Sequence, residues 1–518
     1  MFNEEKNSTI IFSAQNLDFI KFFYNLLTFL CFFIQLILGS SLEDYYCVML
    51  LLILNIIVSQ YCFNEKILFT YPISTFVIFC TNIQMGGGSL YLKSLYLESV
   101  TLKLRVPFET FFFSLLCIVY LIICHCTYRN VNLFILTKNY LSNFLSKLKI
   151  TNNTKFNNFI GCCCLALTFM ITFFIIEEGQ KTLIENINDG LHLFIIMPLI
   201  NFFLLSINIY KTEEKKINFK YFIFIIFYTV SILFYSIIIN SRGALLHFIY
   251  IIIMLLIFFL LLGVVKITYK FFYKSLFAFI LVLFISPIVS NYSQTILDTR
   301  GLRGENINNP IKNFDNFLES FSVKKKMQFV EQETNLFRED YIPSTILGRV
   351  NTIFTIDNVF FVSKYLSLSS IEKIKDYENN KIISIIPEFI IRIFDKDFNK
   401  KFYIENTITA MIYKTIDNTY SGPKPVGSMF AILQIFYGYY FFIYFYLMVI
   451  ICFIVMDSFW LKNQKFNYIL FPLFYLITSI FVTSSISSLI EILLRTILQS
   501  IILYLLLYYI YSSFLKKN

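Results

Sequence analysis

The chain has 518 residues, of which 57% are hydrophobic and only 15% charged. A soluble domain carries roughly 25% charged residues, so this chain could not coat a globule with charge. Its net charge of +10 is spread over short segments between apolar runs. That excludes a cytosolic enzyme, a disordered protein, a disulfide-stapled secreted domain and a nucleic-acid binder, whose charge would gather on one basic face. The 63 Phe and 35 Tyr, with only 10 Pro and abundant Ile, Asn and Lys, point to a low-GC coding bias. Single occurrences of those residues therefore carry little information.

The polar start, residues 1–15, precedes an apolar run and lacks a small-residue cleavage site, so no cleaved signal peptide is expected. Apolar runs able to span a bilayer follow near 19–39, 45–63, 67–85, 107–128, 159–177, 190–210, 221–239, 244–265, 272–290, 428–456, 467–487 and 489–511. The expected fold is an all-α polytopic membrane protein of about twelve spans. Residues 1–290 form an N-terminal membrane domain, 291–427 a large loop between helices 9 and 10, and 428–518 a C-terminal membrane domain. Lysines sort by side. Lys138, Lys147, Lys149 and Lys155, then Lys211, Lys215, Lys216 and Lys220, then Lys266, Lys270 and Lys274, then Lys462 and Lys465, then Lys516 and Lys517 all fall on one side of twelve spans. The positive-inside rule makes that side the cytoplasm, with both termini inside and Trp460 at the inner interface.

The opposite side holds loops at 86–106, 178–189, 240–243 and 291–427. The last is too long for an ordinary connection, and such loops are usually functional. Apolar residues recur at helical spacing in 313–337, 345–367 and 401–416, so it reads as a small, mostly helical, membrane-capping domain. The 11 Cys lie almost entirely in apolar runs, and Cys124-His125-Cys126 lacks a second ligand pair, so no metal is expected. His125, His192 and His247 have neither zinc nor triad spacing and read as helix-packing residues.

The arginines are Arg105, Arg129, Arg242, Arg300, Arg303, Arg338, Arg349, Arg392 and Arg495, and only Arg129 falls on the lysine side. Arginine grips phosphate or carboxylate with a planar fork and stays charged beside a low-dielectric bilayer. Clustered outer arginines suggest an anionic ligand there. The plainer reading is that loop arginines pair with Glu331, Glu333, Glu339 and Asp340, which suits Arg338; Arg300 fits either. Arg242 sits in a tight turn, Asn240-Ser241-Arg242-Gly243, between two very apolar helices, where an unpartnered charge is costly. It reads as functional or as an arginine snorkelling to the headgroups. Arg349 and Arg392 lie among apolar residues and are expected to be more hidden than a solvent-facing arginine. Lys424 stands between two prolines in Ser421-Gly422-Pro423-Lys424-Pro425, a rigid turn or an ordinary helix entry. Arg495 pairs with Glu491 at i, i+4.

The layout, with an arginine turn two helices before a large late loop, resembles the Wzy-type O-antigen and oligosaccharide repeat-unit polymerases. Ser241-Arg242-Gly243-Ala244-Leu245-Leu246 is similar to the family's Arg-Gly turn entering a helix. The stretch from Ile386-Pro387 to Lys396 resembles its Ile-Pro-Arg segment, with Glu388 where the arginine would stand and no proline after Lys396. Pro423 to Gly427, then Tyr437-Gly438-Tyr439, is similar to its Pro-rich entry and Phe-Gly helix, with Ser428 in place of a glutamate. The resemblance implies a bacterial inner-membrane glycosyltransferase, metal-independent, cofactor-free and inverting. It would join undecaprenyl-pyrophosphate-linked donor and acceptor oligosaccharides on the periplasmic face into O-antigen or capsule, alongside a flippase and a chain-length regulator. On that reading Arg242, Arg349 and Arg392 are the catalytic candidates. Arg303, Lys424, Arg300 and Arg105 are candidate substrate contacts, and Glu388, Glu405 and Asp417 are candidate bases. Two other readings stand beside it: an O-antigen ligase, which typically needs a histidine that 291–427 lacks, and a polysaccharide flippase or transporter.

Overall fold

The computed structural model describes residues 15–147, 154–174, 191, 193–206, 219–238, 243–264, 341, 351–416, 428–461, 465–466, 470–482 and 485–517. Helices α1 (Gln15–Leu38) and α2 (Leu42–Cys62) form a hairpin closed by Gly39, Ser40 and Ser41. Ser41 and Asp44 make a capping box at the start of α2. Then come α3 (Glu65–Thr70), α4 (Pro72–Asn82), a π turn (Ile83–Gly87) and α5 (Gly88–Leu95). Next are α6 (Pro107–Asn130), α7 (Asn132–Lys147), α8 (Thr154–Phe174), α9 (Met197–Ser206), α10 (Phe219–Ile238) and α11 (Gly243–Leu261). The stretch expected as a long loop contains α12 (Ile353–Ser363), α13 (Leu368–Ile383), α14 (Glu388–Phe394), α15 (Lys400–Glu405) and α16 (Ile408–Ile416). The chain then runs through α17 (Met429–Tyr437), α18 (Phe441–Tyr444), α19 (Tyr446–Ser458) and a two-residue antiparallel pair, Trp460–Leu461 with Lys465–Phe466. It ends with α20 (Leu470–Thr478), α21 (Ile486–Glu491) and α22 (Ile497–Lys517).

Among the described residues, four helical stretches are long and apolar enough to cross a membrane: Asn16–Leu38, Leu42–Cys62, Pro107–Asn130 and Ile486–Ser513. A fifth is the bent pair Met429–Tyr444 and Tyr446–Ser458, which meet at 67°. Shorter apolar helices at Lys155–Met170, Leu193–Leu204, Phe219–Tyr235, Tyr250–Leu261 and Leu470–Val482 fall on five more of the expected runs. The run expected at 272–290 lies outside the described residues. The protein is therefore a helical membrane protein, with α1 turning Phe22, Leu30, Phe33 and Ile37 outward as a bilayer requires.

Two expected spans and one expected linker differ in detail. The run at 67–85 is not one helix. Pro72 ends α3 by forcing Tyr71 out of the helical region, and starts α4 as its first residue. The helix breaks again at Gly86 and continues to Leu95, into what the sequence suggested was loop. The run at 428–456 is broken at Gly438, whose φ of +54° is a left-handed conformation that glycine adopts without a Cβ penalty. The expected inner linker 129–158 contains a full helix, α7, packed on α19.

The core sits around α4. Every residue from Pro72 to Asn82 is buried, with α2, α6, α19 and α20 packed round it. Its last residue, Asn82, joins a buried polar cluster. Asn55 and Asn82 share a hydrogen bond at 3.0 Å, and Tyr24 donates to Asn55 at 2.5 Å. The backbone carbonyls freed at the break are taken by side chains and by the distant loop. Asn55 donates to Gly87 O, Ser114 to Met85 O, and the Thr352 amide to Gln84 O at 2.8 Å. An interrupted helix at membrane depth is tolerated only when such partners are supplied.

Candidate functional site

Residues 351–416 pack into the helical bundle. Helix α12 reads Ile-Phe-Thr-Ile-Asp-Asn-Val-Phe-Phe-Val-Ser, apolar on every face, and residues 353–360 are all buried. It is inserted among α6, α16, α17 and the π turn. Phe360 meets Phe113 edge-on at 4.8 Å.

Its one carboxylate, Asp357, is only 2% exposed and reaches the entry to α6. It accepts from the Arg105 amide at 3.0 Å, the Val106 amide at 2.8 Å and the Thr110 hydroxyl at 3.4 Å. Val106 cannot cap α6 with its own side chain, so a carboxylate from far along the chain stands at the positive end of that helix. Burial pushes the Asp357 carboxyl above the ordinary range, against the pull of the two amides.

Glu378 repeats the device on the last span. It is 1% exposed, on α13, and its carboxylate takes the amide and hydroxyl of Ser487, the second residue of α21. Burial raises this carboxyl as well, with Ser487 opposing the shift. Asp44 is the third case. It accepts from the Ser40 and Ser41 amides at 2.8 and 2.9 Å and from the Ser99 and Thr101 hydroxyls. Three membrane helices thus begin against a buried carboxylate, two of them supplied by the long loop.

Cations border this seam. The Arg105 guanidinium lies over the Phe361 ring, 4.3 Å from its centre. Lys93 is fully buried, bonded to Glu98 at 2.7 Å, and stacked 4.4 Å above Tyr341, whose hydroxyl donates to Val100 O. Lys364 pairs with Glu109 at the rim. The Arg105 guanidinium is thus held between an aromatic face and the buried Asp357 carboxylate, which its charge stabilises.

Of the residues singled out in the sequence, Arg242, Arg300, Arg303, Arg349 and Lys424 lie outside the described residues, as do Arg338, His192 and Asp417. Arg105 is in the seam. Arg392 is not hidden as expected: its side chain is 63% exposed and forms an i, i+4 pair with Glu388 at 2.5 Å. The apolar residues around it lie on other faces of α14, where Phe389, Ile393 and Phe394 are themselves exposed. The pairing engages Glu388, the candidate base, with a candidate catalytic cation. The Arg495–Glu491 pair forms as expected, at 2.9 Å. His125 has a partner on each ring nitrogen, Tyr61 at Nδ1 and Ser74 at Nε2. Among the described residues, no three His, Cys, Asp or Glu side chains converge as a metal site.

Sequence reasoning passed over Asp357, Glu378 and Asp457. Asp357 and Asp457 each stand alone in an apolar run, and that is the signal that marks a costly buried charge. Glu378 sits in a polar helix and has no such local signal.

A scan against protein-family models and searches of curated proteins and of solved structures gave no match.

Proposed function

We propose that this chain is a membrane polysaccharide polymerase, joining undecaprenyl-pyrophosphate-linked repeat units at the periplasmic face of a bacterial inner membrane. The observation that supports the reading is the seam. A folded segment of the long loop is locked into the end of the bundle that carries Arg105. A reaction at a membrane surface on a lipid-linked donor needs such a fixed platform.

As the glycosidic bond breaks, negative charge develops on the lipid pyrophosphate. Cations fixed beforehand stabilise that charge more in the transition state than in the ground state. Arg242 and Arg349 are the first candidates for that contact, with Arg392, Arg303, Lys424, Arg300 and Arg105 around them. Glu388, Glu405 and Asp417 are the candidate bases for the acceptor hydroxyl. The test is the glycan profile of cells carrying Arg242→Ala. Single repeat units should persist while long chains disappear; normal long-chain polymer would reject the proposal.

One observation favours a second reading, a glycan flippase or other transporter. The central helix is interrupted among buried residues, and some transporters bind substrate at broken helices. A deletion strain separates the two. Repeat units trapped on the inner leaflet mean transport, and loss of long chains alone means polymerisation.

A further inference from the structure

The far end of α6 from the seam holds a second buried polar group, unused by the glycan reading. His125 lies 18 positions beyond Pro107, about 27 Å along a helix. Four helices bring one residue each: Tyr61 from α2, Ser74 from α4, His125 from α6 and Asp457 from α19. Ser74, His125 and Asp457 are fully buried, and Tyr61 is half-buried.

The Ser74 hydroxyl is 2.6 Å from Asp457 Oδ2 and 2.7 Å from His125 Nε2. The Ser74 amide donates to Asp457 Oδ1 at 3.0 Å, which fixes the carboxylate. The Tyr61 hydroxyl is 2.6 Å from His125 Nδ1. This is not a nucleophile with its base, because the serine lies between the acid and the imidazole.

With Asp457 ionised and His125 neutral, one arrangement satisfies every contact. Tyr61 O–H donates to Nδ1, Nε2–H donates to Ser74 Oγ, and Ser74 O–H donates to Asp457 Oδ2. All donors then point the same way, from the half-buried tyrosine to the buried carboxylate. A lone carboxylate inside a membrane bundle is costly, and the default reading of such a residue is functional.

We infer that Asp457 is a proton-loading site, filled through Tyr61, His125 and Ser74 from the end of the bundle where Arg129 and Lys138 lie. The transfer balances in four moves. A hydronium ion gives a proton to the Tyr61 oxygen, and the original Tyr61 proton passes to Nδ1. The Nε2 proton passes to Ser74 Oγ, and the former Ser74 proton passes to Oδ2. Asp457 ends neutral, the imidazole has changed tautomer without a net charge, and every hydrogen bond in the chain has reversed.

The other ionisable groups around the chain are few. Cys126 Sγ is 3.5 Å from the Tyr61 hydroxyl, and the Arg129 guanidinium is 5.6 Å from the Tyr61 ring centre. Tyr71 and Tyr128 pack against the imidazole, Tyr128 and Lys138 from α7 also face the Asp457 carboxylate, and Lys138 Nζ is 5.4 Å from the Tyr71 ring centre.

The experiment is infrared difference spectroscopy of the full chain in lipid nanodiscs after a downward pH jump. Wild type should develop a protonated-carboxyl band that is missing in Asp457→Asn. Tyr61→Phe and His125→Gln should delay its appearance. Tyr61→Phe removes only one half-buried hydroxyl, so it keeps the inference refutable even if Asp457→Asn does not fold. A band that rises at the wild-type rate in Tyr61→Phe would overturn it. So would a wild-type spectrum with no such band at any pH at which the protein stays folded.

Discussion

The Glu378 carboxylate accepts both the amide and the hydroxyl of Ser487, at 2.8 and 3.3 Å, across 109 positions of the chain. The contact places a negative charge where the last span has an orphan amide. It also buries that charge, and burial wins: the Glu378 carboxyl is raised above its ordinary value. A carboxyl whose folded pKa exceeds its unfolded one, about 4.3, contributes stability below the unfolded value and loses it as pH rises through the folded value. The stability of wild type relative to Glu378→Gln should therefore increase as pH falls from neutral towards the unfolded value of about 4.3. Thermal melts of both proteins in detergent across that range check it, and a gap that shrinks on acidification would contradict it. Glu378→Ala leaves the Ser487 amide unsatisfied and should cost about 1–3 kcal/mol.

Asp357 offers a sharper local readout. Oδ1 accepts from both the Arg105 and Val106 amides, and the Arg105 amide is shared with Oδ2 at 3.0 Å. Asp357→Asn can keep one oxygen there, whereas Asp357→Ala strands two amides, each at about 1–3 kcal/mol. Hydrogen exchange at Arg105 and Val106 should accelerate in the alanine variant and stay near wild type in the asparagine one. Equal exchange in both variants would remove Asp357 as the anchor.

Arg392 separates stability from function. Its pair with Glu388 is solvent-exposed, and such i, i+4 pairs are worth about 0.3–0.5 kcal/mol. Arg392→Ala should leave the melting transition nearly unmoved. If the same variant loses long-chain polymer in cells, the loss reports a ligand contact. A large drop in stability would show a structural role instead.

The glycine run at the break is a packing requirement. A Cβ on Gly88 would run into the Ile83 carbonyl oxygen, a backbone atom that cannot swing aside. A Cβ on Gly86 would sit 3.3 Å from Ser114 Cβ, a tight contact that a small shift relieves. Gly88→Ala should lower stability by about 1–3 kcal/mol, and Gly86→Ala by less. A thermal melt of the two variants ranks them, and equal transitions would mean the π turn can relax.

Hydropathy made the membrane class and the outer helices legible, because a lipid-facing helix such as α1 must be apolar along its length. It failed at α4 and α5. That helix is wrapped by protein and never meets lipid, so its polar residues and its break carry no penalty that a sliding window can see. The same blindness hid α12. Its apolar residues read as the core of a cap, and nothing local says that their neighbours are Phe113 and the π turn. Arg392 failed for a different reason. Neighbours in sequence lie on different faces of a helix, so apolar company did not bury its guanidinium. Arg495 with Glu491, by contrast, depends only on helical spacing, and spacing is what a sequence displays.

The insertion of α12 also orders events in time. The amides that lead into α6 find their acceptor only in Asp357, 252 positions later than Arg105. A growing chain delivers its first spans to the bilayer with that entry still open, and must keep a slot for α12 until the loop has been made. Chains stopped before residue 351 would carry an unfilled polar notch beside α6. Assembly of this protein is therefore closed from its C-terminal half.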